Sequence, residues 1–502
     1  MNHMKRVILI FSLIASIGFS QNINDALLFS SENIQGTARF NAMSGAFGAL
    51  GGDLTAININ PAGSAVFNKG SFTGTLAVNG VNNDAVYFGT ETYDRSSNIS
   101  INQLGGVFVL QNPNTNSDWR KTTIALNYNK TQDFNQQYFI SGNSPTSVDT
   151  YFLEQANGLA FEDIQYFPGE FIEEAYLNIL EAYGFQYQQA FLGYYGGVID
   201  PVDASDPFNT MYVGTGNYST VKQDYLYSSS GANSKFNFNL ATQYKDILYL
   251  GMSLNGSFIN SKRVTNIIET GYDASSDLEF VSFNNSLRTI GSGFSMQFGA
   301  IAKVGKQLRL GAAYHSPTWF VLNDELSQSI NSNLADRDIG FIGSNQVVVF
   351  QNYNLRTPSK LSGSAAFIFG KQGLLSFDYH YKDYNNVTLK PSSSFSQTNT
   401  NINSSLKGTS SVSLGGEYRI QKWSLRAGYR FEESPYKNKY IIDDLKGYSL
   451  GFGYNFGVSK IDFSFNRSKQ NTRHQLYPVG LTNTANISSV KYAVMTSFTL
   501  KL

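Results

Sequence analysis

Cysteine is absent from the 502-residue chain, which excludes disulfides, thiolate metal centres, thiol nucleophiles and a lipidated N-terminal cysteine. Charge is scarce: Asp, Glu, Lys and Arg together make up 15%, against roughly 25% in a soluble globular domain. The two signs balance at 37 each, so there is no basic footprint for nucleic acid. No stretch of the mature chain holds 18 consecutive apolar residues, which excludes a helical membrane protein. No serine stands in a G-x-S-x-G setting. The glycine-rich run Gly45 to Gly52 lacks the Lys and Ser/Thr of a phosphate loop. Neither catalysis nor a bound cofactor or metal is expected.

Aromatics and small polar residues fill the space. Aromatic residues reach 14%, with 38 Phe and 31 Tyr, while proline numbers only 11. Such a chain has surfaces of two polarities to satisfy with few ions. At the N-terminus, Lys5 and Arg6 precede an apolar run from Val7 to Phe19, and small residues Gly18 and Ser20 stand before Gln21. This is the layout of a secretory signal over residues 1–20, and the run is too short to span a bilayer.

Residues 21–70 keep no sustained period. Within them, Ala38 to Gly63 (ARFNAMSGAFGALGGDLTAININPAG) carries Gly45, Gly48, Gly51, Gly52 and Gly63. Small residues between the glycines let backbone approach backbone, yet supply too little bulk for a core. The segment must be enclosed by something else.

From Ser71 the period becomes two, the mark of strands. Tyr448, Leu450, Phe452, Tyr454 and Phe456 alternate with Ser449, Gly451, Gly453, Asn455 and Gly457; Phe236, Phe238 and Leu240 alternate with Asn237, Asn239 and Ala241; Leu375, Phe377, Tyr379 and Tyr381 alternate with Ser376, Asp378 and His380. A soluble sandwich alternates too. The small, amide-rich second face fits a wet or plugged lumen, and the aromatic face fits lipid.

Fourteen strands are expected, near 71–80, 99–111, 119–140, 218–244, 247–268, 279–304, 307–331, 346–369, 373–390, 401–420, 422–434, 444–457, 459–469 and 489–502. Short turns alternate with long polar loops between them, as in outer-membrane barrels. The fold class is therefore all-β, a transmembrane antiparallel barrel over 71–502 with the N-terminal segment 21–70 as a plug, or hatch, inside it.

One loop, 141–217, is out of proportion. Phe171, Ile172, Ala175, Tyr176, Ile179, Leu180 and Tyr183 recur at helical spacing, with Pro168 and Gly169 before them and Gly184 after. The apolar face serves either as packing on the barrel mouth or as a collecting groove for ligand. His315 and His380 fall on the polar faces of the seventh and ninth strands, and His474 in a loop. Two lumen histidines permit an axial haem ligand without implying one. Pro317 and Pro358 fall at equal heights on neighbouring strands and are read as marking the outer rim.

Several of these stretches resemble the FadL/TodX family of outer-membrane transporters for long-chain fatty acids and other hydrophobic compounds. Ala38 to Gly63 is similar to the family's plug signature, ending in Asn60, Pro61, Ala62 and Gly63. GAAYHSPTWF (Gly311 to Phe320), TPSKLSGSAAFIF (Thr357 to Phe369) and KWSLRAGYRFEESPY (Lys422 to Tyr436) look similar as well.

The resemblance implies a fourteen-stranded barrel and passive diffusion of ligand past the plug. It also implies a lateral exit near Asn60, Pro61, Ala62 and Gly63. The family's wall is kinked at the third strand, whereas here no Gly or Pro occurs between Trp119 and Ile140. Hydrophobic small molecules or lipids are the expected partners, with proteins at the outer loops as a further class. The rival readings are a non-transporting surface scaffold of the type IX secretion kind and a receptor for haem or another hydrophobic ligand. A water-filled porin is disfavoured, because the plug would block it and few charges could line it.

Overall fold

The period-two segments close into a single antiparallel sheet of fourteen strands in the computed structural model, which describes residues 23–343 and 345–502. The secretory-signal reading falls outside these residues. The strands are β1 (Ser71–Tyr87), β2 (Thr90–Gln111), β3 (Trp119–Asp133 and Gln136–Ser144), β4 (Val221–Tyr244), β5 (Leu248–Thr270), β6 (Phe280–Val304) and β7 (Leu308–His315 and Trp319–Ser332). The second half comprises β8 (Val348–Val349, Tyr353–Arg356 and Lys360–Phe369), β9 (Gly373–Asp383, resumed at Thr388–Lys390), β10 (Gly408–Ile420), β11 (Trp423–Glu432), β12 (Leu445–Asn455), β13 (Ser459–Gln475) and β14 (Thr484–Lys501). β1 pairs with β14 from Ser71↔Lys501 to Val86↔Asn486, which leaves no free end strands. Closure satisfies the ladder groups that lipid could not.

The polarity of the wall is inverted relative to a soluble domain. Phe236, Phe238 and Leu240 are exposed on the outside, and Asn237 and Asn239 are buried inside. Trp119 and Tyr244 stack edge to face beside one short turn, and Trp423 and Tyr454 beside another. They form part of an aromatic girdle at the short-turn rim. Among the described residues, no helix is long and apolar enough to cross a membrane.

Three strand limits differ from expectation. β1 and β2 run to a two-residue hairpin at Phe88 and Gly89, both at positive φ, instead of leaving 81–98 as a loop. Paired positive φ gives the turn twist that suits a hairpin. Residues 401–405, placed in the tenth strand, belong instead to helix α6 (Ser396–Ser405). Its Asn399 side chain bonds both backbone groups of Leu389 and ties the helix to the end of β9. β13 extends to Gln475, so His474 is a strand residue rather than a loop residue.

Pro317 and Pro358 are not at the rim. They sit in facing mid-strand breaks of β7 and β8, and the wall stays joined because Thr318 N–H donates to Thr357 Oγ1 (2.9 Å) and Thr357 N–H to Thr318 O (3.0 Å).

β3 breaks at Phe134 and Asn135 although no glycine or proline lies between Trp119 and Ile140. Asp133 Oδ1 accepts Asn135 N–H (2.9 Å) and its side-chain amide (2.6 Å), a local turn that the short Asp side chain makes by itself. Beyond the break, Gln136–Ser144 pairs with β4 but not with β2. Asn83 of β1 donates to Gln137 O from the inner side of the wall (2.6 Å). The β2–β3 backbone ladder therefore stops at Gln103↔Asn129 while β2 runs on outward, leaving a break in the ladder that side chains bridge, Asn98 to Asp133 (3.1 Å) and Thr92 to Phe139 O.

Over the long-loop rim, α3 (Asp149–Ala156), α4 (Ile172–Tyr183) and α5 (Phe185–Tyr195) form a cap. Gly184, at positive φ, ends α4 and turns the chain into α5.

Candidate functional site

The plug lines the inside of the wall as a spiral that meets the strands in roughly descending order. Ala38 N–H donates to Ser497 Oγ on β14 (2.7 Å), Asn41 Oδ1 accepts from Asn466 on β13 (3.1 Å), and Ser44 Oγ meets Ser449 Oγ on β12 (2.8 Å). Phe47 and Gly48 N–H donate to Asp378 Oδ2 on β9 (3.0 and 2.8 Å). Asn60 Nδ2 reaches Gly48 O (2.8 Å) and Ala300 O on β6 (3.0 Å). Asn239 of β4 donates to Pro61 O (2.9 Å), and Ser64 meets Thr123 of β3 (3.0 Å).

Helix α2 (Ala38–Ala42) starts at Thr37, whose hydroxyl accepts Phe40 N–H and donates to Asp53. Burial pushes the Asp53 carboxyl up, against the Arg39 charge and the Thr37 bond. Arg39 itself pairs with Glu417 of β10 (2.9 Å), which Arg426 of β11 shares (2.6 Å), and Arg426 continues to Asp462 of β13 (2.9 Å). Each buried charge thus has a partner, as burial demands.

Glycines supply the fit on both sides. Within the plug, Gly51 and Gly63 lie backbone to backbone, and Gly52 N–H donates to Gly63 O (3.0 Å). On the wall, a Cβ at Gly428 of β11 would stand 2.5 Å from Met43 C and 2.6 Å from Ser44 N. Gly451 of β12 meets Ala42 in the same way, and Gly251 of β5 meets Pro61. Gly45 and Gly48 pack near Phe40 and near Ser364, respectively. Sequence reasoning singled out the plug glycines and missed those of the wall, although Gly251 and Gly451 stand on the small-residue faces of strands.

Asn60, Pro61, Ala62 and Gly63 sit together against β4 to β7, all buried. The break in the β2–β3 ladder lies elsewhere on the wall, beyond Gln103 and Asn129. The plug residues beside it are Asn33, whose N–H donates to Thr131 O (3.0 Å), and Gln35, which accepts from Asn102 (2.6 Å).

Above the plug is a cavity of about 1270 Å³. Leu27, Phe40, Tyr138, Tyr225, Leu326 and Tyr436 are among its apolar walls, and Lys130 beside the break also lines it. Its floor carries helix α1 (Ile23–Ser30), held at one end by Asp25 with Arg263 and followed by Glu32 with Lys235 (3.1 Å) and Lys360 (2.7 Å). Burial opposes the Glu32 charge, but Lys360 and Lys235 hold its carboxyl well below the usual range. These charges were also missed. Their signal is a lysine on the polar face of a strand, far from either turn.

The histidines are structural contacts. His315 Nε2 meets Ile59 O of the plug (2.9 Å), His380 Nδ1 meets Ser362 Oγ (2.7 Å), and His474 bridges Tyr138 (3.1 Å) and Tyr225 (3.3 Å). Among the described residues no three His, Cys, Asp or Glu side chains group as metal ligands.

In the cap, Ile172, Tyr176 and Ile179 are buried and Leu180 packs partly against the same core, whereas Phe171 is exposed. The apolar face of α4 is thus mostly filled by packing on the barrel mouth. Tyr176 donates to Gln328 Oε1 of β7 (3.0 Å), and Gln189 and Gln328 exchange two bonds.

Residues 203–494, more than half of the chain, match the model of the family described as outer membrane protein transport protein (OMPP1/FadL/TodX). The chain belongs to this family. The match begins beyond the plug, so the three strand pieces fall within it and the Asn-Pro-Ala-Gly stretch does not.

Among solved structures, the chain is similar to a Pseudomonas aeruginosa FadL homologue (12% identity, 93% of this chain and 99% of that one, TM-score 0.56). It is also similar to the Pseudomonas putida toluene transporter TodX (13%, 94% and 99%, 0.52). At these identities the likeness is one of fold. No curated protein matches the chain. As a member of the FadL/TodX family, the protein is a plugged β-barrel of the outer membrane, in a family that transports hydrophobic compounds.

Proposed function

We propose that the protein carries long-chain, fatty acid-like molecules across the outer membrane by passive diffusion. Ligand passes from the cavity above the plug to the break in the β2–β3 ladder. The observation that carries this reading is the cavity itself, about 1270 Å³ with aromatic and aliphatic walls, reaching Lys130 where the β2–β3 ladder ends. Ligand pockets are about 300–1,000 Å³ and mostly apolar; this cavity is larger and mixes its aromatic and aliphatic walls with amide and charged groups.

In this reading residues 1–20 are a removed signal, 21–70 the plug, and 71–502 the barrel with 141–217 as its outer cap. Asn60, Pro61, Ala62 and Gly63 anchor the plug to the wall, and movement begins at residues 33–35 beside the break.

The cap favours a second role, as a surface that holds other proteins. It exposes Phe167, Phe171, Phe208 and Met211, and residues 141–217 contain eleven carboxylates and no Lys, Arg or His. An open cavity weighs towards carriage, since a scaffold is served equally well by a filled lumen.

Carriage is tested by reconstituting the protein in vesicles and following a fluorescent long-chain fatty acid into the lumen without an energy source. Faster accumulation than in protein-free vesicles is expected, and coincident curves overturn the reading.

A further inference from the structure

The lipid-facing side of the wall changes character near the long-loop rim. Across β11, β12, β13 and β14, Tyr429, Tyr448, Arg467 and Tyr492 stand directly opposite one another in register. Two residues farther from the short turns, the same face carries Phe431, Lys446, Lys469 and Val490. Lys446 and Lys469 are exposed. They share the parity of Leu450, Phe452, Phe463 and Phe465, which are exposed to lipid. Ten residues separate Lys446 from Phe456 at the short-turn rim; at about 3.4 Å per residue and a tilt of about 40°, they rise about 26 Å. The apolar band of such a barrel is about 25 Å tall and ends in an aromatic girdle. The tyrosine row is that girdle, and the two lysines lie just outside it, at the level of the outer-leaflet headgroups.

Like charges directly opposite in a ladder repel each other. Lys262 and Arg288 form such a pair on β5 and β6, but Glu325, opposite Arg288 on β7, closes it (3.2 Å). Around Lys446 and Lys469 the carboxylates are engaged elsewhere. Asp444 is held by Lys439 (2.7 Å), Glu432 by Arg430 (3.1 Å), and Asp443 accepts from Asn471 (3.4 Å). Among the described residues no carboxylate lies within ion-pair distance of Lys446, Arg467 or Lys469. Arg467 is fixed in place, since its guanidinium lies over the Tyr448 ring (5.7 Å) and donates to the Tyr448 hydroxyl (3.3 Å). It is two residues from Lys469 and diagonal to Lys446, at about 7 Å from each along the sheet. Three cations on two strands are thus within reach of one multivalent anion.

We propose that Lys446, Arg467 and Lys469 form a seat on the outside of the barrel for the phosphate of an outer-leaflet lipid, whose acyl chains lie along the apolar face beneath. A phosphate monoester carries a charge of about −1.5 to −2, enough to relieve both lysines, and arginine meets phosphate oxygens with parallel N–H donors. Basic side chains just beyond an apolar span attract anionic headgroups for the same reason. A free phosphate ion offers the same charge but nothing to the aromatic and aliphatic surface below, so the seat favours the lipid. It lies outside the lumen and does not depend on carriage.

The full-length protein in non-ionic detergent is titrated with diphosphoryl lipid A, a glycolipid with two phosphate monoesters, and with the same glycolipid after dephosphorylation. Bound species are counted by native mass spectrometry. The double variant Lys446→Gln, Lys469→Gln is expected to weaken diphosphoryl lipid A by about tenfold or more and to leave the dephosphorylated lipid unchanged. Lys262→Gln, at the pair that Glu325 closes, is expected to bind as the wild type does. In lipid-free detergent the double variant, relieved of repulsion, is expected to melt no lower than the wild type, yet to lose the rise in Tm that diphosphoryl lipid A gives the wild type. The proposal is overturned by unchanged binding in the double variant, by an equal loss in Lys262→Gln, or by a wild type indifferent to dephosphorylation. A lower Tm of the double variant in lipid-free detergent assigns the lysines to the fold and overturns it as well. So does displacement of the lipid by equimolar inorganic phosphate, which marks a site for soluble anions.

Discussion

A close approach of plug backbone to wall can be probed with a single methyl group. At Gly428 a Cβ would lie 2.5 Å from Met43 C and 2.6 Å from Ser44 N, whereas carbon atoms rest at about 3.5–4.0 Å. Gly428→Ala therefore pushes plug backbone off the wall by about 1 Å. Backbone cannot rotate aside as a side chain can, and overpacking of this kind costs about 1–3 kcal/mol. The lost freedom of the unfolded chain returns about 0.4–1 kcal/mol.

The net penalty falls on the plug, because the barrel ladder at Gly428 is intact on both sides, with Gly415 and Ser449 opposite. The amides of Ser44 and Ala46, bonded to Asn41 O (2.9 Å) and Met43 O (3.1 Å), report it. Their hydrogen exchange should accelerate by about threefold to thirtyfold, at about tenfold per 1.4 kcal/mol. Gly363→Ala is the control, since nothing lies within 4 Å of its Cβ. Unchanged exchange in Gly428→Ala, or equal acceleration in both variants, refutes the argument that wall glycines seat the plug.

Two further outcomes follow from the same geometry. Deleting Ala38 to Gly63 removes the spiral contacts and should give the barrel conductance steps in planar bilayers that the intact protein lacks; identical traces would show that the segment does not seal the lumen. In the cap, burial pushes the Asp149 carboxyl up to about 6, against its bonds to Tyr218, Thr150 and Ser147. The folded cap therefore holds a proton that the unfolded chain releases near its ordinary pKa of about 3.8. This stabilisation is complete below the unfolded value and is lost as pH rises through about 6. Amide exchange of α3, corrected for its intrinsic pH dependence, should report easier opening at neutral pH, and Asp149→Asn should flatten the profile. A wild-type profile that is flat over this range contradicts it.

What the sequence made legible was the part of the chain that must satisfy lipid. Where Phe236 and Asn237 or Leu450 and Gly451 face opposite solvents, the period is clean and the strand is found. Above the lipid the outer halves of β1 and β2 face water on one side and cap or cavity on the other. Asn82, Asn83 and Asp84 then read as loop although they are fully paired. Helix α6 was hidden for the same reason, having a single fully buried side chain, Ile402.

The plug was legible as a glycine-rich segment too poor in bulk to stand alone. Its receiving surface was not, because it takes one residue from each of many strands. Whether Gly428 and Met43 or Lys360 and Glu32 share a height depends on strand register across the whole barrel, which no local pattern encodes. The break in β3 was written in a side chain rather than a backbone signal. Asp133 bends the strand that glycine or proline would have been expected to bend.

The spiral contact of plug with wall also constrains how the molecule can be made. Ala38, where the glycine-rich stretch of the plug begins, finds its partner on Ser497 of the final strand, and Ser64, just past its end, finds Thr123 and Asn239 early in the barrel. A chain emerging from its N-terminus therefore cannot seat the start of this glycine-rich stretch until its last strand is present. Contacts of such sequence separation are slow to form. A barrel sealed at β1 and β14 offers no clearance for a plug backbone that touches wall glycines directly. The two must close together, with the growing sheet wrapping a segment that waits, exposed, for the rest of the protein. Any factor that assists insertion of this barrel has to hold the β1 edge open until the plug is laid along it.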